Sequence, residues 1–342
     1  MAPRLDIFHN YPLRTLNTFG IDVRAAHYLQ VTDPAQLDAL YREPALRDVP
    51  RLVLGGGSNL LLTRDFPGLV LHIATLGVVV TGEDEQHVFV TAQAGENWHS
   101  FVQWTLAHGL PGLENLSLIP GYVGAAPIQN IGAYGSELAD YFYACEVFDC
   151  HTGETRSLNK QDCRFAYRDS MFKHELRDCA VIINVTFALP KKWQANLRYS
   201  ELANELANYG VQVPTASDIS QAVIAIRTRK LPDPAKIGNA GSFFKNPLVT
   251  AEQRDTLLNR YPSLISYSQA NGSYKLAAGW LIEQCGWKGK TMGAAGVHAQ
   301  HALVLVNHGG ASGEDLLRLA NQVRDDVLEK FGVVLEPEPV FI

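Results

Sequence analysis

In Tyr167-Arg168-Asp169-Ser170 an arginine stands between an aromatic and a carboxylate. A guanidinium oriented by a neighbouring Asp still presents its fork to a substrate anion; the plainer reading is a surface ion pair. In Asn239-Ala240-Gly241-Ser242-Phe243-Phe244-Lys245-Asn246-Pro247, small residues expose Ser242 over two aromatics, and Lys245 and Asn246 supply polar donors. There is no G-x-S-x-G elbow and no evident His partner, so a hydrolase triad is unsupported. A serine that only donates a proton needs no such partner; the alternative is a glycine turn leading into an edge strand. Arg227, Arg229 and Lys230 crowd the end of a helical segment, where cations match the helix dipole or bind a diphosphate. Glu336 and Glu338 lie two apart in an extended tail and so share a face. Prolines on either side stiffen Glu338. A carboxyl on a rigid, apolar strand end suits a general acid, and exposed tail carboxylates are the bland alternative. Spacing does not choose between the two glutamates. The 11 histidines show no metal-binding spacing, and no metal is expected.

Two glycine-rich loops offer backbone rather than side chains. Gly55-Gly56-Gly57-Ser58-Asn59 follows an apolar strand and can turn successive N–H groups toward a pyrophosphate. It is neither a Rossmann fingerprint nor a P-loop, because no helix and no G-K-[ST] follows. Leu118–Gly135 carries no charged side chain. Its glycines let backbone approach a ligand closely, and its apolar residues can wall off something flat. A buried, irregular core segment is the other reading. Together the loops suit a dinucleotide held outside a Rossmann fold.

These positions need elements to hold them. Arg51–Leu54, Leu60–Leu62 and Leu69–Ile73 read as strands. Val78–Thr81 with His87–Gln93, and Tyr141–Cys150 with Thr155–Leu158, read as hairpins. Asn97–Gly109 is a helix with Phe101, Trp104 and Leu106 on its apolar side and Gly109 at its end. Cys179–Leu189 is a strand, and Ser217–Lys230 a helix with Ile219, Val223 and Ile226 at helical spacing. Lys275–Cys285 is a short helix and Ala302–Asn307 a strand. Ser312–Gly332 is a helix opened by Ser312 and Asp315 in capping-box spacing. Strands cluster without regular strand–helix alternation, so the class is α+β. At 342 residues the chain is long enough for two or three domains. A net charge of −6 gives no basic face for nucleic acid. No secretory signal or membrane-length apolar run is found. The 5 cysteines form no C-x-x-C pair, which fits free thiols in a reducing cytoplasm. No exposed heptad hints at an obligate dimer, and a monomer is expected.

The segments NTFG at Asn17–Gly20, LGGGSNLLL at Leu54–Leu62 and GLENLSLIPGYVGAAPIQNIGAYG at Gly112–Gly135 are followed by YRDS at Tyr167–Ser170. Then come KLPDP at Lys230–Pro234, NAGSFFKNP at Asn239–Pro247, KLAAGWLIEQCG at Lys275–Gly286 and LEPEP at Leu335–Pro339. In this order they resemble the UDP-N-acetylenolpyruvoylglucosamine reductase family over nearly the whole chain. The resemblance implies a flavin-binding fold of the vanillyl-alcohol-oxidase (PCMH) type. Residues 1–75, joined by the tail 333–342, and residues 76–230 would form two subdomains around non-covalent FAD; residues 231–332 would form a smaller α+β substrate domain. It implies NADPH as reductant and UDP-N-acetylglucosamine enolpyruvate as substrate, reduced to UDP-N-acetylmuramate for the cell wall.

On matching positions the catalytic residues are Arg168, Ser242 and Glu338. Arg168 and Glu338 would stabilise the substrate carboxylate as it becomes enolate-like. Hydride would arrive from flavin N5 at C3, and Ser242 would protonate C2. The family pattern is what selects Glu338 over Glu336. FAD would be held by Thr18, Gly55, Gly56, Gly57, Ser58, Asn59, Pro120, Gly121, Gly124, Ala125, Ala126, Gln129, Asn130, Ile131, Gly132, Ala133 and Tyr134. Tyr199, Lys230 and Asn246, with Tyr134, would grip the UDP portion; the segment carrying Tyr199 marks the longer family type. Val340 stands where the family usually has an arginine, and Ala125-Ala126 where serines are common. Two other readings use the same loops. One is an oxidase of the same superfamily, though neither loop holds the His or Cys that attaches flavin covalently in many of those. The other is a UDP-sugar-binding module without turnover.

Overall fold

The run Phe66–Ile73 is apolar almost throughout and is buried along both faces, the mark of a central parallel strand. In the computed structural model, which describes residues 3–46 and 49–342, it lies between Arg24–Val31 and Arg51–Leu54 and parallel to both. Ile7–Pro12 completes this sheet beyond Arg24–Val31. A second, antiparallel sheet has the order Thr155–Asn159, Phe142–Asp149, Ala180–Pro190, His87–Gln93, Val78–Glu83. Its hairpins close on acidic side chains. Asp84 accepts from the N–H of Gln86 and His87 at 2.7 and 2.6 Å, and Asp149 from those of His151 and Thr152. Leu29, Val31, Leu71 and Ile73 of the first sheet share a core with Phe148, Val181 and Ile183 of the second.

The helix Trp98–Ala107 covers the far face of the antiparallel sheet. Asn97 caps it by accepting from Ser100 N–H at 3.0 Å. Its buried side is Trp98, Phe101, Val102 and Thr105. The expected apolar side is corrected here: Trp104 and Leu106 pack only partly, and Trp104 stacks on His108 instead. The helix Ala216–Lys230 buries Ile219, Val223 and Ile226 as its spacing requires.

Contacts divide the chain into two units. Met1–Tyr11, Ala25–Gly57 and Phe66–Arg229 form the first; Pro12–Arg24, Ser58–Asp65 and Lys230–Ile342 form the second. In the second unit, Gly238–Ser242, Val304–Asn307, Ala295–Val297 and Thr291–Met292 make one sheet in that order. Leu248–Val249, Tyr274–Leu276 and Ser266–Ser268 make another. Lys275 and Leu276, expected in a helix, are therefore in a strand; the helix is Ala278–Gln284. Long-range pairing won there, with Leu276 N–H bonded to Pro247 O at 2.9 Å. The helix Gly313–Phe331 begins with the full Ser312–Asp315 capping box and ends at Gly332, whose φ is 65°. Val340–Phe341 of the tail pairs in parallel with Leu60–Leu61.

Candidate active site

In the first unit the two glycine-rich loops lie against each other. A Cβ on Gly56 would sit 3.1 Å from Gly121 Cα and 3.3 Å from the Tyr122 ring. A side chain there would crowd the second loop. The charge-free loop is tied along its length. Val123 N–H bonds Glu96 O and Gly124 N–H bonds Ala94 O, both at 2.9 Å, while Trp98 N–H bonds Gly121 O at 3.0 Å. Val123, Ala126 and Ile131 turn into the core. Of the expected cofactor residues, Ala126 and Ile131 therefore offer a ligand only backbone. Pro120 and Ala125 are exposed, and Gln129, Gly132, Ala133 and Tyr134 are half-buried.

Four non-glycine residues adopt left-handed φ around this loop: Leu118 at 59°, Asn130 at 44°, Tyr134 at 49° and Arg168 at 55°. Such conformations persist only where the surroundings over-determine them, and here side chains do so. Leu118 donates its N–H to His99 Nδ1 at 3.0 Å and accepts from Arg227 Nε at 3.2 Å. Burial, with Arg168 nearby, pushes the Arg227 guanidinium pKa down. Asn115 donates to Tyr134 O at 2.8 Å. Asn130, 1% exposed, donates to Glu137 and to Ala166 O and accepts from Ala139 N–H.

Ala166 and Asp169 exchange backbone bonds, so Arg168 sits at the tip of a tight turn. Its Nη2 donates to Gly132 O at 2.7 Å, which joins the YRDS segment to the end of the charge-free loop. Asp169, expected to orient Arg168, is instead engaged by His174 at 2.8 Å and by Ser170 N–H. Burial raises the Tyr134 hydroxyl to about 12, despite the opposing pull of Arg227, so it stays a neutral donor. Tyr199, 43% exposed, meets Tyr134 edge-on at 5.2 Å. Arg229, one of the crowded cations, pairs with Glu205 through both terminal nitrogens, at 3.1 and 2.9 Å.

Removal of the Asn130 amide tests how this part is held. Asn130→Ala should lower the apoprotein's unfolding free energy by about 1–3 kcal/mol, because it removes the hydrogen bonds of a buried amide to Glu137, Ala139 and Ala166 and leaves an alanine at left-handed φ. Urea denaturation measures it; a loss under about 1 kcal/mol would show that water replaces the amide.

In the second unit, Ser242 ends the strand Gly238–Ser242. The register against Val304–Asn307 shifts between Asn239 and Ser242, and Gly241 takes φ 69°. A bulge of this kind re-aims the side chain that follows it. Asn239 holds the bulge by accepting from Gly241 N–H at 2.9 Å, and its own N–H bonds Thr18 O at 3.0 Å. Phe243 and Phe244 are buried beneath. The tail runs alongside: Glu338 N–H bonds Phe243 O at 2.8 Å, and Lys245 N–H bonds Glu336 O at 2.9 Å. Asn59 Nδ2 donates to Glu338 O at 3.3 Å. Thr18, Asn59, Ser242 and Glu338 are thus brought together.

The two tail glutamates differ. Glu336 is exposed and paired with Lys245 at 3.1 Å, while Glu338 is half-buried. Lys245 is thereby committed within its own unit. Asn246 accepts from Ala278 N–H at 2.9 Å, so toward a ligand its amide is a donor. Lys230 closes the helix Ala216–Lys230.

Known proteins share these features. Residues 25–159 match the model of an FAD binding domain, and residues 233–342 match the C-terminal domain of UDP-N-acetylenolpyruvoylglucosamine reductase. The reductase of that name from Paraburkholderia phymatum is 54% identical over 338 residues, covering 98% of each chain. That from Paraburkholderia phytofirmans is 56% identical over 332 residues, covering 96% of each. The chain belongs to the UDP-N-acetylenolpyruvoylglucosamine reductase family. The crystal structure of the reductase from Thermus caldophilus aligns with TM-score 0.66 at 25% identity, over 99% of this chain and 98% of that one. The family's α+β flavin-binding fold is the fold described above.

The residues present fit a flavin dinucleotide. The glycine turn adjoins the second loop, and beside them His72 keeps a buried Nε2 without a hydrogen-bond partner among the described residues. Sequence reasoning missed His72, Tyr122, His99 and Asn115. His72 and His99 lie in none of the quoted segments, Asn115 and Tyr122 lie inside one of them, and all four act through contacts with residues distant in sequence. Arg227 was noticed only as a helix-end cation, since its carbonyl partner Leu118 lies 109 positions away.

Proposed function

We propose that this protein reduces UDP-N-acetylglucosamine enolpyruvate to UDP-N-acetylmuramate, an FAD-dependent step of cell-wall precursor synthesis, with Arg168, Ser242 and Glu338 as its catalytic residues. FAD held by the two glycine-rich loops would supply the two-electron hydride chemistry between NADPH and the enolpyruvyl double bond. Arg168 and the Glu338 carboxyl hydrogen-bond the substrate carboxylate as it becomes enolate-like. Preorganised donors are worth most where charge develops. Ser242 donates the proton that C2 requires. Tyr199, Lys230 and Asn246, with the neutral hydroxyl of Tyr134, take the UDP portion. Residues 1–75 with the tail 333–342, and residues 76–230, form the two flavin subdomains, which also supply Arg168, Tyr134, Tyr199, Lys230 and Glu338 to the substrate; residues 231–332 form the substrate domain. The observation that supports this reading is the bond from Glu338 N–H to Phe243 O, which brings the backbone of Glu338 beside the residue following Ser242.

The enzyme works as a cytoplasmic monomer on small molecules, without nucleic acid or membrane. No helix among the described residues is long and apolar enough to cross a bilayer. NADPH and substrate use the site by turns, which gives ping-pong kinetics.

The test is anaerobic: reduce the protein with NADPH, add UDP-N-acetylglucosamine enolpyruvate and follow flavin absorbance. Prompt return of the oxidised spectrum is expected. A flavin that bleaches but stays reduced until air enters would move the assignment to an oxidase, and a colourless protein that FAD cannot reconstitute would overturn it.

A further inference from the structure

We propose that His72 donates a hydrogen bond from Nε2 to the phosphate–ribose tail of bound FAD, with Tyr28 setting the imidazole tautomer. The proposal rests on the flavin reading and adds a binding residue to it. His72 lies near the carboxyl end of Phe66–Ile73, opposite Leu54 in parallel register. Leu54 is the last residue before the glycine turn at Gly55. Ligands of parallel sheets bind beyond the carboxyl ends of the strands. The side chain is 7% exposed.

Both ring edges are informative. Nδ1 sits 2.8 Å from the Tyr28 hydroxyl. Tyr28 is stacked on Tyr11 at 3.8 Å, and its buried phenol is held protonated by a strongly raised pKa. In the tautomer proposed here, the phenol donates to Nδ1 and the ring's own proton is on Nε2. Burial lowers the imidazole pKa, so the ring is neutral and this tautomer is the relevant one. Nε2 is buried and has no hydrogen-bond partner among the described residues. Buried donors in native proteins find an acceptor. One face of the ring stacks near Tyr122, at 6.1 Å and 25°. Tyr122 is the side chain against which Gly55 and Gly56 pack. The orphan donor thus adjoins the turn suited to a diphosphate, where its acceptor would be a phosphate or ribose oxygen.

The experiment uses the full chain stripped of FAD, labelled with 15N-histidine. On adding FAD the His72 Nε2–H resonance should move downfield; its loss in His72→Phe and in His72→Gln identifies it. His72→Phe keeps the ring and removes the donor, so it should weaken FAD binding about tenfold or more. His72→Phe also takes the acceptor from the Tyr28 hydroxyl, so apoprotein melting should fall no more than a few degrees, and riboflavin, which lacks the tail, should bind as before. Tyr28→Phe frees Nδ1 and should produce a smaller loss. A resonance unmoved by bound FAD would overturn the proposal, as would parental FAD affinity in His72→Phe or equal losses for FAD and riboflavin. The first of these would assign the donor to a buried water. If parental apoprotein bound no FAD, the flavin reading itself would fail.

Discussion

Ser242→Ala should be reduced by NADPH at the parental rate and then hold its electrons. Oxidation of the flavin by substrate should slow by about two to four orders of magnitude, the usual worth of a positioned proton donor. The structure gives the substitution little else to disturb. Ser242 is the last residue of its strand, half-buried after the bulge at Gly241, and Phe243 and Phe244 carry the packing beneath it. Deleting one hydroxyl from that edge leaves the bulge intact, because Asn239 and not Ser242 accepts from Gly241 N–H. Rapid-scan absorbance separates the two half-reactions. An alanine variant that reoxidises within about threefold of the parent would remove Ser242 from the role of acid. One slowed equally in both half-reactions would point to a lost flavin position.

Arg168→Lys should cost about two to three orders of magnitude in kcat/KM for the enolpyruvyl substrate. The guanidinium already spends one nitrogen, Nη2, on Gly132 O. That bond fixes the direction of its planar fork. A lysine ammonium has neither the fork nor the fixed geometry and cannot serve a loop carbonyl and a carboxylate in the same way. The turn itself should survive, because Ala166 and Asp169 close it through backbone. Asn130 holds Ala166 O from the other side. FAD content and melting temperature should therefore stay near parental while turnover falls. A lysine variant of parental kcat/KM would show that only charge matters at this position. A variant without flavin would mean that the Gly132 bond is needed for cofactor binding.

What was legible in the sequence follows the range of the interactions. The helices Trp98–Ala107, Ala216–Lys230 and Gly313–Phe331 lie where caps and spacing put them, because their determinants fall within a few residues. The hairpin Val78–Glu83 with His87–Gln93 is equally local. Lys275 and Leu276 were misread because their strand partners, Leu248–Val249 and Ser266–Ser268, are invisible to helical periodicity. The expected strand at Leu60–Leu62 is present as Leu60–Leu61, but nothing in its residues tells that Val340–Phe341 is its neighbour. Two-residue spacing could not separate Glu336 from Glu338. The separation comes from Lys245, which claims Glu336, and from Asn59 and Phe243, which grip the backbone of Glu338. At YRDS the motif was visible, but the neighbour that Asp169 serves was not, because His174 enters from a later turn.

The left-handed residues around the charge-free loop bear on how a cofactor is captured. Leu118 is clamped by His99 and Arg227, Tyr134 by Asn115, and Gly132 by Arg168, all through protein groups alone. The loop's shape is therefore settled when the polypeptide folds. With the flavin seated on this loop as proposed, uptake would be a collision between a finished socket and its plug, its rate linear in FAD concentration without a slow ordering phase. Its heat-capacity change should reflect only the surface of the dinucleotide and the walls it covers, with none of the extra burial that accompanies coupled folding.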